Sequence, residues 1–153
     1  YEWTNGELFL NAGDITVTGD GARTTFVDAA NGSRFLDLGN GLTAFSLNDL
    51  ELRNGFDGND PGGAIENDCD ALSLNRVSLR NCMTGIGFGG AIHNRGGMDI
   101  NACAFIDCIA EANSGQNGGG GGGGAFGGGG AVSSWLGSSS TFENCTFSGS
   151  QAF

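Results

Sequence analysis

A parallel β-solenoid of roughly four to five coils, all β with almost no helix, is the fold this chain predicts. Three observations predict it. The stretch Leu47-Asn48-Asp49-Leu50-Glu51-Leu52-Arg53-Asn54-Gly55 is echoed by Leu74 to Cys82 and again by Ile100 to Cys108. The starts at 47, 74 and 100 lie 27 and then 26 residues apart, and a weaker fourth copy runs from Phe142 to Ser150. Within each copy apolar residues alternate with polar ones, the period of a strand with one buried face. Nowhere is there a sustained 3.6-residue apolar stripe, and 31 glycines against one proline show no Gly-X-Y order, which excludes collagen.

Residues 1–153 read as one domain, in three zones. In residues 1–55 the short apolar runs Leu8-Phe9-Leu10, Ile15-Thr16-Val17, Thr25-Phe26-Val27 and Phe35-Leu36-Asp37-Leu38 are parted by turn signals, and predict irregular first coils. Residues 56–108 hold the regular 26–27-residue coils. Each opens on a Gly-Gly-Ala-aliphatic tetrad: Gly62-Gly63-Ala64-Ile65, Gly89-Gly90-Ala91-Ile92 and then Gly129-Gly130-Ala131-Val132. Residues 109–153 form the last coil, stretched by a Gly-rich insertion over 115–130, read as an excursion from one corner or as a contact loop anchored by Phe126.

A period of this length suits one turn of three short strands. Stacked turns place equivalent residues in files about 4.8 Å apart, the ordinary strand spacing. Leu47, Leu74, Ile100 and Phe142 form one inward file, and Leu52, Leu79, Phe105 and Phe147 another. Glu51, Ser78, Ala104 and Thr146 fall between inward positions and face out. Asn48, Asn75 and Asn101 share a file at a bend, where stacked amides can bond up the axis as a ladder; Glu143 ends it.

The paired Gly-Gly-Ala-Ile tetrads, with the Leu-x-Leu-Arg-Asn and Phe-x-x-Cys segments, resemble the repeats of the polymorphic outer membrane protein family. That family alternates Gly-Gly-Ala-Ile with Phe-x-x-Asn motifs, and the resemblance implies a right-handed parallel β-helix. It covers most of the chain from about residue 14, and the opening from Ile15 to Ile65 looks like that of secreted β-helices. The chain departs at the Phe-x-x-Asn position, where Phe105 is followed by Cys108 and Phe147 by Ser150.

Five cysteines stand at 69, 82, 103, 108 and 145. The alignment puts Cys82 with Cys108 and Cys103 with Cys145 in files on neighbouring coils, within the Cα range a disulfide tolerates. Two bridges, Cys82–Cys108 and Cys103–Cys145, are therefore predicted, with an oxidising compartment implied; reduced core cysteines are the alternative. Cys69 is left over on an acidic, exposed loop, free or joined to another subunit.

The net charge of -11, with arginine supplying all six cations, argues against nucleic acid and against anionic membranes. No apolar run is long enough to insert in a membrane as a helix. Asp57, Asn59, Asp60, Glu66, Asp68 and Asp70 crowd the 57–70 loop, and hard oxygens at that density can hold Ca²⁺. Their spacing is not that of an EF-hand, and a solvated acidic loop is the preferred reading. The lone His93 and the cysteines complete no zinc set, so no metal or cofactor is expected. Asn31-Gly32-Ser33 and Asn144-Cys145-Thr146 match the glycosylation sequon, with Asn31 and Asn144 as acceptors. Arg53 and Arg80 share a file beside Asn54 and Asn81, read as a structural stripe rather than a catalytic one. No catalytic residues are assigned.

A solenoid must cap its end coils or leave strand edges that recruit other chains. Tyr1-Glu2-Trp3 and Gln151-Ala152-Phe153 supply no amphipathic cap helix, and Tyr1 suggests a processed or excised chain. Either the chain is a piece of a longer β-helix or its ends pair with further copies. The function expected is that of a secreted or cell-surface, non-enzymatic structural or adhesive protein, self-associating through its ends into a filament or appendage. The alternative is a β-helix that binds or cleaves polysaccharide, with cell-surface glycans as partners.

Overall fold

A computed structural model describes residues 1–2, 6–111 and 129–153. They form a parallel β-solenoid of about four turns, without helix. The first turn carries β1 (Leu8–Leu10), β2 (Gly13–Thr18) and β3 (Phe26–Asp28). The second carries β4 (Leu36–Leu38), β5 (Leu42–Asn48), β6 (Glu51–Arg53) and β7 (Phe56–Asp57). The third holds β8 (Ile65–Asn67), β9 (Ala71–Asn75), β10 (Ser78–Arg80) and β11 (Met83–Thr84). The fourth holds β12 (Ile92–Asn94), β13 (Gly97–Asn101), β14 (Ala104–Ile106) and β15 (Ile109–Ala110). The last rung is β16 (Val132–Ser134), β17 (Ser139–Glu143), β18 (Thr146–Ser148) and β19 (Gln151–Ala152).

Equivalent strands stack into four sheets, not the three expected. They run β1-β4-β8-β12-β16, β2-β5-β9-β13-β17, β3-β6-β10-β14-β18 and β7-β11-β15-β19. Every pairing is parallel. The fourth sheet is built from two-residue strands, too short for an alternating pattern to reveal. The first two turns, expected to be irregular, follow the same frame, with one register shift at Gly13/Asp14.

The predicted files are present. Leu47, Leu74, Ile100 and Phe142 are direct partners, as are Leu52, Leu79, Phe105 and Phe147. Their middle members are almost fully buried, and one continuous apolar core runs through the turns.

Two single-residue corners per turn make the coil. Asp49, Arg76, Ala102 and Asn144 occupy the left-handed region at φ of 53–56°, between the second and third sheets. Asn54, Asn81, Asp107 and Gly149 do the same between the third and fourth. One left-handed residue bends the chain sharply while letting strands resume on either side, a conformation that Asn, Asp and Gly tolerate best. The tetrad glycines fill the tightest place. A Cβ on Gly63 would overlap the carbonyl oxygens of Met83 and Gly90, and one on Gly90 the backbone of Gly130 and Ile109. Successive turns touch there backbone to backbone, where only glycine fits.

Candidate functional site

The outer side of the first sheet carries the densest chemistry of the described residues. Strand alternation points Ile65 and Asn67 inward and Glu66 outward, with His93 and Ser133 stacked above Glu66 as direct partners. Asp37 and Phe9 continue the file below it. Although outward, Glu66 is 7 % exposed, and His93 and Ser133 are 3 % each. Arg34, itself 3 % exposed, bonds Glu7, the Pro61 carbonyl at 2.8 Å and Glu66 at 2.5 Å, with Asp57 at 4.0 Å. Arg95 reaches Glu66 at 2.5 Å and grips Asp68 with two bonds of 2.5 and 2.7 Å. Burial lowers the Arg34 pKa, but Glu7, Glu66 and Asp57 outweigh it and hold the guanidinium more firmly charged than usual. Burial raises the Glu66 and Asp37 carboxyls, and both arginines pull against that rise.

Glu66, His93 and Ser133 imitate the composition of a hydrolytic triad. Their geometry does not match its roles. His93 Nδ1 lies 2.7 Å from Ser133 Oγ, but the Glu66 oxygens are engaged by arginines. Neither Ser133 nor His93 reaches solvent where a substrate would have to sit. The imidazole is packed between Phe88 (6.1 Å between centroids) and the edge-on Trp135 (6.3 Å). Burial, seconded by the Arg95 charge, lowers its pKa to about 4, so it is neutral and structural at ordinary pH.

The acidic loop is drawn apart rather than gathered. Glu66 and Asp68 face arginines, while Asp57 accepts the Asn59 and Asp60 N–H groups at 2.9 and 2.8 Å and so ties its own turn. Among the described residues no three His, Cys, Asp or Glu side chains converge as a metal site.

The expected disulfides are not formed. All five cysteines carry free thiols. Cys82 and Cys108 do stack, and each Sγ points at backbone carbonyls: Arg80 at 3.4 Å for Cys82, Leu79 and Ile106 at 3.5 Å for Cys108. A shared file brings the two thiols into contact with each other without joining them. The Cys108 thiol and burial together push the Cys82 thiol well up. Cys103 and Cys145 repeat the pattern, and burial pushes the Cys103 thiol up to about 11. Cys69, expected on an exposed loop, is fully buried, and its thiol donates to Asn67 Oδ1 at 2.9 Å.

Asn48, Asn75 and Asn101 share a file as predicted, but their amides do not bond to one another. Their carbonyls do the work at the corner, accepting the N–H groups of Gly19, Asp49 and Arg76. The bonded ladder lies elsewhere. Asn67 Nδ2 donates to Asn94 Oδ1 at 2.7 Å, and Asn94 Nδ2 donates to the Ser139 carbonyl and to Ser140 Oγ at 3.0 Å. Both asparagines are 0 % exposed. The signal was present as Ala-Ile-x-Asn in Ala64-Ile65-Glu66-Asn67 and Ala91-Ile92-His93-Asn94.

The Arg53/Arg80 stripe is ion-paired: Arg53 to Asp28 at 2.9 Å, over the Phe26 ring at 3.8 Å, and Arg80 to Glu51 at 3.4 Å. Asn81 donates to Asn54 at 3.4 Å, and Asn54 to Asp28 at 2.9 Å. The sequon residues Asn31 and Asn144 are exposed. The Gly-rich insertion and Phe126 lie outside the described residues, save Gly129 and Gly130.

Two apolar surfaces interrupt this polar exterior, one at each end. At the first rung Leu8 (42 % exposed) and Val17 (43 %) border a hollow of about 210 Å³ lined wholly by apolar side chains, among them Ile15, Val27, Phe45 and Leu47. At the last rung Phe142 and Phe147 are 39 % and 50 % exposed, and Phe147 stacks on Phe105 at 4.7 Å. The first edge is partly covered, because Tyr1 O accepts the Asp28 N–H at 2.9 Å and Glu2 bridges Asp28. No family model, curated protein or solved structure matches the chain.

Proposed function

We propose that this chain is a non-enzymatic structural or adhesive β-solenoid of a secreted or cell-surface protein, associating end to end with further copies of itself. The observation that carries the reading is the open core at both ends. A cross-section that is fully buried in the middle turns is exposed at the first and last described rungs, beside strand edges whose outer N–H and C=O groups have no sheet partner among the described residues. Such edges recruit strands, and a large apolar patch beside them adds a driving force. The hollow at one end and the projecting Phe142 and Phe147 at the other are different surfaces, which favours a head-to-tail contact that repeats.

The non-enzymatic reading draws on the charged groups: five of the six arginines are held in ion pairs with carboxylates of the solenoid. A surface location and kinship with the polymorphic outer membrane protein repeats rest on the tetrad motifs, and glycans at Asn31 and Asn144 belong to the same proposal. Sedimentation across a wide concentration range, with electron microscopy of the concentrated sample, tests the reading. Growing species and thin rods support it; a monomer at every concentration overturns the assembly.

A further inference from the structure

A separate groove lies beside the charged face, where β1, β4 and β8 meet the corner leading into the second sheet. It holds about 290 Å³ and is lined by Phe9, Asn11, Asp37, Asn40, Glu66, Asp68 and Arg95, with Gly39 at its base. That volume is at the small end of ligand pockets, nearer one ring than a long chain. Its walls are fixed in advance. The Asn11 side chain lies against Gly39 and Gly41, where any Cβ would overlap it, and its Oδ1 accepts the Gly41 N–H at 2.8 Å. Arg95 is held by Asp68 and Glu66.

Two of its members are not used by the fold. Phe9 is 58 % exposed, with its ring edge over Gly39. Asp37 is half-buried in the outward file between Phe9 and Glu66, and has no hydrogen bond or ion pair of its own among the described residues. A partly desolvated carboxylate left without a donor calls for one from outside. The wall combines an aromatic face, a free carboxylate and amide groups, so it offers an apolar plate beside several acceptors and donors. Three carboxylates face Arg95, with Arg34 behind Glu66, and leave a surplus of negative charge that disfavours anionic ligands.

We infer that this groove binds a single ring of a neutral sugar, its C–H face on Phe9 and its hydroxyls donating to Asp37 and bonding Asn40. The site is independent of whether copies associate end to end, and a monomer suffices to test it.

The purified chain is titrated with methyl glycosides of neutral hexoses and pentoses, and with methyl uronosides as the anionic arm. Binding is read by saturation-transfer NMR and calorimetry. At least one neutral glycoside saturates the chain. Phe9→Ala and Asp37→Leu each weaken it about tenfold or more, and Asp37→Asn, which keeps an acceptor in place, stays within about threefold. Phe9 is largely exposed, so Phe9→Ala keeps the wild-type melting curve; with Asn40→Ala it carries the test should Asp37→Leu fail to fold. Saturation by no neutral glycoside, equal binding of uronosides, or undiminished binding by Phe9→Ala overturns the assignment.

Discussion

His93 has given up solvent for packing against Phe88, Trp135 and Ser133, and that exchange has a pH signature. Its pKa falls from 6.5 to about 4 on folding, so the unfolded chain binds the extra proton between those values. Stability is then full above pH 6.5 and is lost as pH falls toward 4. The whole window is worth of order 3 kcal/mol, of which about 2 kcal/mol is lost by pH 5. Glu66 and Asp37, raised by burial, bind protons more readily folded and blunt the loss at its acid end. Urea midpoints at pH 7 and pH 5 check this: the wild-type midpoint falls, and His93→Gln flattens the difference. Equal falls in both chains would show that the imidazole is not responsible. Asn94 tests burial of another kind. Asn94→Leu leaves Asn67 Nδ2, the Gly96 N–H and the Ser139 carbonyl without their present partner, a loss of about 3 kcal/mol in denaturant titration. At this scale the sequence was least legible. Residues were visible, but not which stacked asparagines bond amide to amide: Asn67 with Asn94 and Asn81 with Asn54 do, while Asn48, Asn75 and Asn101 do not bond one another. Asn67 and Asn94 face the core, and Asn48, Asn75 and Asn101 do not.

The corners and the tetrads decide whether a turn can close. Ala102 holds a φ of 53° with a Cβ attached, a conformation that costs an ordinary residue about 1–2 kcal/mol and a β-branched one more. Ala102→Val therefore lowers thermal stability by roughly that amount, while Ala102→Gly does not; identical melting points for the two would remove the corner argument. Gly90→Ala is the harsher change, since the new methyl meets the backbone of the next turn instead of a movable side chain. Loss of the cooperative melt is expected, whereas a Gly→Ala change at the open Gly137 position, itself left-handed at φ 94°, costs only local strain. At the corner of Asn54, Asn81, Asp107 and Gly149 three residue types suited to left-handed backbone recur, a signal the reading of Asn54 and Asn81 as a stripe passed over. The bend expected at Asn48, Asn75 and Asn101 adjoins the corner of Asp49, Arg76, Ala102 and Asn144, but the left-handed residue itself was hidden, because Arg and Ala carry no such preference and the stacking of the turns imposes the conformation on them. The two-residue strands of the fourth sheet escaped for a simpler reason: alternation needs more than two positions to be seen.

Across the whole molecule, the period and the inward files were legible from the spacing of Leu52, Leu79 and Phe105 alone, because parallel stacking converts sequence offset directly into neighbourhood. The same directness misled for the cysteines. A shared file puts Cα atoms within disulfide range, but the stacked thiols are free and point at backbone carbonyls. What the files do predict is the behaviour of the ends. If copies join head to tail, Val17→Lys spoils only the first-rung face and Phe147→Lys only the last-rung face. Each variant alone stays monomeric, since every contact needs one intact face of each kind. Mixed together they form dimers and nothing longer, because Phe147→Lys supplies the intact first rung and Val17→Lys the intact last rung. Sedimentation velocity of each variant and of the mixture resolves these species. Dimers of either single variant would mean that like faces pair with like, and head-to-tail growth would be abandoned.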